Sequence, residues 1–205
     1  MDAGSLWRGP SPLLLASTSR GRRALLEAAA IPVDAEASGI DERAIEAGLA
    51  APEPREVAAR LARDKAMAVA ARHPDRIVLG ADQVLDLDGV PIPKPESAAA
   101  ARLQIARLAG RTHLLHAAAA LARNGAIVWE DLESASLGMR PLADVAIARY
   151  VAAAGDAATR SAGGYEIEAL GIHLFDRIEG EHSVILGLPM LPLLAALRGM
   201  GLLAL

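Results

Sequence analysis

A mixed α/β fold is predicted for this chain, on three observations. Short apolar runs alternate with segments of helical period up to residue 108. Two hairpin dipeptides, Asp88-Gly89 and Asn124-Gly125, divide the middle into antiparallel arms. The final third mixes the two patterns again, with no internal repeat and no low-complexity tail.

The elements follow in order. Residues 13–16 form an apolar run that reads as a buried strand. Residues 19–30 are a helix with Ser19 as its N-cap, stopped by Ile31-Pro32. Residues 33–37 give a second short strand. Gly39-Ile40-Asp41-Glu42 reads as an acidic loop, followed by a Pro-punctuated stretch to Pro54. Residues 55–72 have long helical periodicity, with Val57, Leu61, Met67 and Val69 near one face and Lys65 close by. Residues 76–87 form a strand, and Asp88-Gly89 turns it into a second arm at 90–93. Residues 97–108 are helical, starting at Glu96 or Ser97. Residues 111–122 and 126–137 are strands joined at Asn124-Gly125. A helix at 142–154 ends at Gly155, a strand covers 171–178, and a last helix covers 190–199. The alanine runs at 117–120 and 152–154 are the least specified, because alanine favours helix where context can impose strand.

Composition bounds the function. The 205 residues allow one large domain or two small lobes. Much of the 53% hydrophobic content is alanine, so the core must come from Leu, Ile and Val. Aromatics at 2% leave no stacking platform for single-stranded nucleic acid. A net charge of −4 argues against a nucleic-acid polymer as partner. The absence of cysteine removes disulfides, thiolate metal sites and cysteine nucleophiles. Arg8 is followed by prolines, not by a signal-peptide core, and no long charge-free apolar run spans a membrane. A soluble, cytoplasmic protein is expected. Lys65 and Lys94 are the only lysines among 21 basic residues, which singles out their neighbourhoods.

The most informative stretch is Ser17-Thr18-Ser19-Arg20-Gly21-Arg22-Arg23. Arginines in the first turn of a helix oppose its macrodipole, and beside free backbone N–H groups they point to a bound anion, phosphate first. Asp82 follows an apolar strand run in Leu79-Gly80-Ala81-Asp82-Gln83, as a turn cap, a metal ligand or a general base at a strand end. Asp86 and Asp88 read as solvated hairpin residues. Asp41-Glu42 could join Asp82 in an all-oxygen Mg²⁺ site. Pro93-Lys94-Pro95 fixes one cation rigidly, and Lys65 stands on a helix. Glu166 and Glu168 lie in a Gly-flanked segment, 163–171, where a carboxylate could accept the N1–H and exocyclic N–H₂ of guanine. The five histidines have no metal-ligand spacing, and no P-loop, dinucleotide or serine-hydrolase motif is present.

Taken together, the motifs resemble the Maf family of nucleoside triphosphate pyrophosphatases. They are Ala16-Ser17-Thr18-Ser19 with Arg22-Arg23-Ala24-Leu25-Leu26, Asp41-Glu42, Ala62-Arg63-Asp64-Lys65-Ala66, Gly80-Ala81-Asp82-Gln83-Val84, Lys94-Pro95, Gly110-Arg111-Thr112-His113, and Glu179-Gly180 with Gly187-Leu188-Pro189. The resemblance spans residues 13–201 and implies an elongated α/β fold like that of the inosine-triphosphate pyrophosphatases. It implies a single domain over residues 1–205 with two lobes and a central cleft. It also implies a divalent cation, Mg²⁺ or Mn²⁺, held by Glu42 and Asp82, and a homodimer. By position, Ser17, Arg22, Lys65 and Lys94 match phosphate contacts, Glu42 an acidic active-site residue, and Asp82 the proton acceptor.

The family's substrate pattern implies more. Gln83 with Glu168 matches members that act on 7-methyl-GTP, where Thr and Gln mark those that act on dTTP and UTP. Four positions depart from the pattern. Arg20 replaces a usual proline, Gly21 replaces Arg or Trp at a specificity position, and His182-Ser183-Val184 replaces Tyr-Ser-Asn. The expected reaction cleaves a nucleoside triphosphate between its α and β phosphates. The alternatives are a dTTP/UTP pyrophosphatase of the same family and a non-catalytic nucleotide-binding regulator of cell division.

Overall fold

The apolar run before the hydroxyl-rich loop forms strand β1 (Leu13–Leu15), with all three side chains buried. The computed structural model describes residues 6–50 and 52–205, so the reading of the first five residues lies outside it. Ser19 caps α1 (Arg20–Ala28) by accepting from the Arg22 N–H. Strand β2 (Val33–Ala35) follows. The acidic loop is corrected: Asp41 caps a short helix, α2 (Glu42–Ala47), by accepting from the Ala44 N–H at 3.0 Å. An Asx cap ahead of good helix formers makes a helix start there. Helix α3 (Pro54–Ala70) opens with proline in its first turn and a Glu53/Glu56 capping box.

Strands β3 (Val78–Leu87) and β4 (Val90–Ile92) meet at Asp88 and Gly89, both at positive φ, as a type I′ hairpin turn demands. Ser97 caps α4 (Ala98–Leu108). Strands β5 (Thr112–Arg123) and β6 (Ala126–Met139) are joined in the same way at Asn124-Gly125. Alanines 117–120 are strand, because burial at the centre of the sheet outweighs their helical propensity. Helix α5 (Asp144–Ala154) stops at Gly155, and α6 (Ala157–Arg160) follows at once. The expected strand at 171–178 begins later, as β7 (Phe175–Glu179). Leu170–Leu174 is a 3₁₀ turn, closed where the Gly171 N–H reaches the Glu166 carbonyl. An added Cβ on Gly171 would lie 2.4 Å from that oxygen. Helices α7 (His182–Ile185) and α8 (Met190–Gly199) complete the chain. No helix among the described residues is long and apolar enough to cross a membrane.

The seven strands form one mixed sheet in the order β2-β1-β3-β5-β6-β7, with β4 also on β3. β1 runs parallel to β2 and β3, and the remaining pairs are antiparallel. Strand alternation gives β3 two different faces. Val78 and Val84 face α3 with Ala118, Ala120 and Ala66. The odd-numbered residues face two separate cores. One holds Leu79, Ala81, Leu13, Leu26 and Leu193 beside α1 and α8. The other holds Leu85, Leu87, Ile105, Leu137 and Val151 beside α4 and α5. β3 therefore runs past both cores, and Gln83 lies on the seam between them.

Candidate active site

β1 and β4 occupy the same edge of β3 end to end. β1 pairs with Val78 and Leu79, and β4 pairs with Leu85–Leu87. Between them, residues 80–84 have no strand partner on that edge. β1 runs toward this gap and delivers Ser17. β4 runs antiparallel toward the same gap and delivers Lys94. Two chain segments far apart in sequence thus converge on one break in the sheet, and Asp82 is at its centre. Asp82 is mid-strand, which corrects its expected position at a strand end: the apolar run resumes at Val84 and β4 extends the pairing.

On the α3 face, the Lys65 ammonium donates to Asp82 Oδ1 at 2.6 Å and pairs with Glu42 Oε1 at 2.8 Å. The Lys65 and Asp82 side chains are 8% and 10% exposed, whereas Glu42 is 48% exposed and opens the cluster to solvent. Burial raises the proton affinity of the Asp82 carboxyl, and the Lys65 and Arg22 charges oppose that rise. Gly80 lets the helix come this close. A Cβ there would lie 2.1 Å from the Ala62 carbonyl oxygen and 2.5 Å from the Ala66 nitrogen. Glu46, one turn after Glu42 on α2, also feels this cluster: burial, then Asp82 and Glu42, raise its carboxyl.

Arg22 fills the gap itself. Its Nη1 donates to the Ala81 carbonyl at 2.8 Å and to Ser17 Oγ at 3.3 Å, and its Nε donates to the Gly187 carbonyl at 2.9 Å. A buried guanidinium thus replaces a missing strand neighbour. Nη2 has no hydrogen-bond partner among the described residues, which leaves one edge of the fork for an anion. Burial lowers the Arg22 pKa, and Asp82 and Glu42 counter this. The neighbouring arginines differ: Arg20 is exposed, and Arg23 is an exposed partner of Glu27.

Gln83 points to the opposite face from Asp82. Its Nε2 donates to the Val184 and Ile185 carbonyls at 2.8 and 2.9 Å. Gly21 lies beside the same segment, and an added Cβ would meet the Leu186 carbonyl at 3.7 Å, an ordinary contact. A side chain would fit at this position. Lys94 and Glu168 are exposed and have no hydrogen-bond or ion-pair partner among the described residues. Glu166 is taken up by Arg160. Asp86, expected to be solvated, is instead largely buried, accepting from the Gly89 N–H and meeting His116 Nε2 at 3.1 Å.

Glu42 and Asp82 direct oxygen donors at one point, where the Lys65 ammonium now lies. An oxygen-only pair of this kind suits a hard divalent cation that takes its remaining ligands from phosphate and water. Among the described residues, no set of three His, Cys, Asp or Glu side chains makes a protein-only metal site. Gly80 and Gly187 shape the cluster from within their motifs: Gly80 by the close approach of the α3 backbone, Gly187 by its positive φ of +94°. Neither requirement shows until the packing partner or the backbone conformation is known.

A family model described as "Maf-like protein" matches residues 12–200. A protein of Rhodopseudomonas palustris (strain HaA2) named "Nucleoside triphosphate pyrophosphatase" is 53% identical over 98% of this chain and 99% of its own length. A protein of Rhizobium johnstonii named "7-methyl-GTP pyrophosphatase" is 47% identical over 92% of this chain and 96% of its own. Among solved structures, the Staphylococcus aureus Ham1 protein is similar with a TM-score of 0.40 and 15% identity, covering 65% of this chain and 73% of that one.

Proposed function

The chain belongs to the Maf family, and on that premise we propose that it hydrolyses nucleoside triphosphates between the α and β phosphates, with 7-methyl-GTP preferred. The observation that carries this is the buried Lys65–Asp82 pair with Glu42 at its solvent-facing mouth, beside Arg22 at the open edge of β3. A pure binding site has no need of a buried carboxylate poised to take a proton. Arg22, through its open Nη2 edge, Ser17, Lys65 and Lys94 hold the triphosphate and offset the charge that develops on it. Asp82 orients a water molecule and takes its proton. The water oxygen bonds to the α phosphorus, the bond to the bridging oxygen breaks, and pyrophosphate leaves. Its raised proton affinity suits Asp82 to this role. Glu42 and Asp82 would hold a divalent cation, Mg²⁺ or Mn²⁺, which supplies phosphate charge neutralisation and an acidified water.

The base preference rests on Glu168. It is exposed and unpaired, so it is available to accept the N1–H and N–H₂ of a guanine, and its charge favours the cationic N7-methylated ring. Gly21 places no side chain where the family pattern has Arg or Trp. The relative named for 7-methyl-GTP supports this choice. We further infer that the enzyme is a cytoplasmic homodimer acting on free nucleotides.

The test is pyrophosphate release, with and without Mg²⁺ or Mn²⁺, over 7-methyl-GTP, GTP, UTP, dTTP, CTP and ITP. Metal-dependent release, fastest with 7-methyl-GTP, is expected. Preference for UTP or dTTP would overturn the substrate, and saturable binding with no release would favour the regulator.

A further inference from the structure

Both amide donors of Gln83 are committed within the protein. Both of its described contacts are backbone carbonyls of α7, Val184 and Ile185. Its oxygen faces Gly187, where an added Cβ would lie 3.6 Å from Oε1 and 3.4 Å from Arg22 Nε. Gly187 has φ +94°, and its carbonyl accepts from that same Nε. Gln83 and Arg22 therefore grip consecutive parts of one short segment, Gln83 at 184–185 and Arg22 at 187. The segment also bridges the lobes: Val184 and Ile185 belong to one core, Leu188 and Met190 to the other. Gln83 itself rises from β3 at the seam, between Ala81 of one core and Leu85 of the other.

We propose that Gln83 is a positioning residue that fixes the 184–187 segment so that Arg22 presents Nη2 to the triphosphate; it acts on the phosphate end of the substrate and not on the base. The chain of contacts is continuous. The Gln83 amide holds two carbonyls, the turn after them sets the Gly187 carbonyl, and that carbonyl sets the plane of the guanidinium. A fork that binds phosphate through two donors depends on its orientation. Both amide donors are turned toward α7, and the amide oxygen faces Gly187 beside the Arg22 guanidinium, the phosphate end of the site. The proposal rests on the pyrophosphatase reading for its substrate, but its test does not need turnover.

The experiment uses Gln83→Met, which keeps length and removes both donors, and Gln83→Thr. Calorimetric binding of inorganic tripolyphosphate with Mg²⁺ supplies a base-free probe. KM and kcat are measured for 7-methyl-GTP, GTP and UTP. The expected result is weaker tripolyphosphate binding and a higher KM for every nucleotide, each by about tenfold. The ratio of kcat/KM between bases should be unchanged. A changed base ratio with unaltered tripolyphosphate binding would overturn the proposal and restore Gln83 as a base contact. A double-mutant cycle with Arg22→Lys separates positioning from general loosening. If Gln83 works through Arg22, Gln83→Met costs little further tripolyphosphate affinity in the Arg22→Lys background, and additive losses would refute it. If wild type releases no pyrophosphate from any nucleotide, the reaction assignment fails, and tripolyphosphate binding still decides the role of Gln83.

Discussion

Asp82 is held between opposing influences: burial raises its proton affinity, and the Lys65 ammonium 2.6 Å away and the Arg22 guanidinium lower it. Asp82→Asn keeps the shape and one acceptor for Lys65 but cannot take a proton. Turnover is expected to fall by about 10²–10⁴-fold with an unchanged circular-dichroism spectrum. Near-normal turnover in a folded Asp82→Asn protein would remove the base assignment. Arg22→Lys tests the fork. Lysine offers no planar pair of donors, so the Ala81 and Gly187 carbonyls cannot both keep their bonds. Stability should drop by about 1–3 kcal/mol in a denaturant titration, and KM should rise. At this scale the sequence was informative about residue type and silent about direction. Ser17, Arg22, Lys65, Glu42 and Asp82 stand out through the resemblance of their motifs to the Maf family, and the fold brings them together. Gln83 was paired with Glu168 as a base reader. Strand phase, which sends adjacent side chains to opposite faces, instead turns it toward α7.

The elements that matter most are β3 and the helix laid across it. α3 reaches β3 at Gly80, where a Cβ would collide with the Ala62 carbonyl and the Ala66 nitrogen. Both are helix backbone and cannot swing aside. Gly80→Ala should therefore push α3 off the strand and separate Lys65 from Asp82. A loss of about 1–3 kcal/mol or more is expected in thermal or denaturant unfolding, together with most of the activity. Unchanged stability in Gly80→Ala would contradict the close packing. Most elements were readable from periodicity and caps: Ser19, Ser97 and the two hairpin turns stand where expected. Helix α2 is too short to show a helical period, and its Asp41 cap has the same residue type as a surface carboxylate, so the sequence there points to a loop. The 3₁₀ turn before β7 was read as strand because its apolar residues carry no mark of the Gly171 contact that bends them.

At the scale of the molecule, one sheet serves two cores, and a buried histidine, His113, packs against Tyr165 and Phe175 of the core beside α4 and α5. His113 Nε2 meets the Tyr165 hydroxyl at 2.6 Å, and its Nδ1 has no partner among the described residues. Burial lowers its pKa to about 4, below the ordinary 6.5. The unfolded chain therefore binds a proton at His113 that the folded chain refuses between those values. Stability should fall as pH is lowered from 6.5 to about 4, by about 3 kcal/mol for this group. His113→Gln should flatten this part of the stability–pH curve, measured by urea unfolding at several pH values. An equally steep curve in the variant would assign the effect to other groups.

The sequence by itself determined the α/β class and most element positions, and it pointed to the candidate phosphate loop and the candidate catalytic carboxylate. These depend on local period, capping and residue type, which a linear chain displays. Only the tertiary structure decided that β1 and β4 stop short of each other on β3. It also decided that Arg22 fills the break between them, and that Gln83 grips the segment joining the two cores. Those outcomes depend on which edges meet and which backbones approach within a few ångströms, and no single stretch of sequence carries both sides of such a contact.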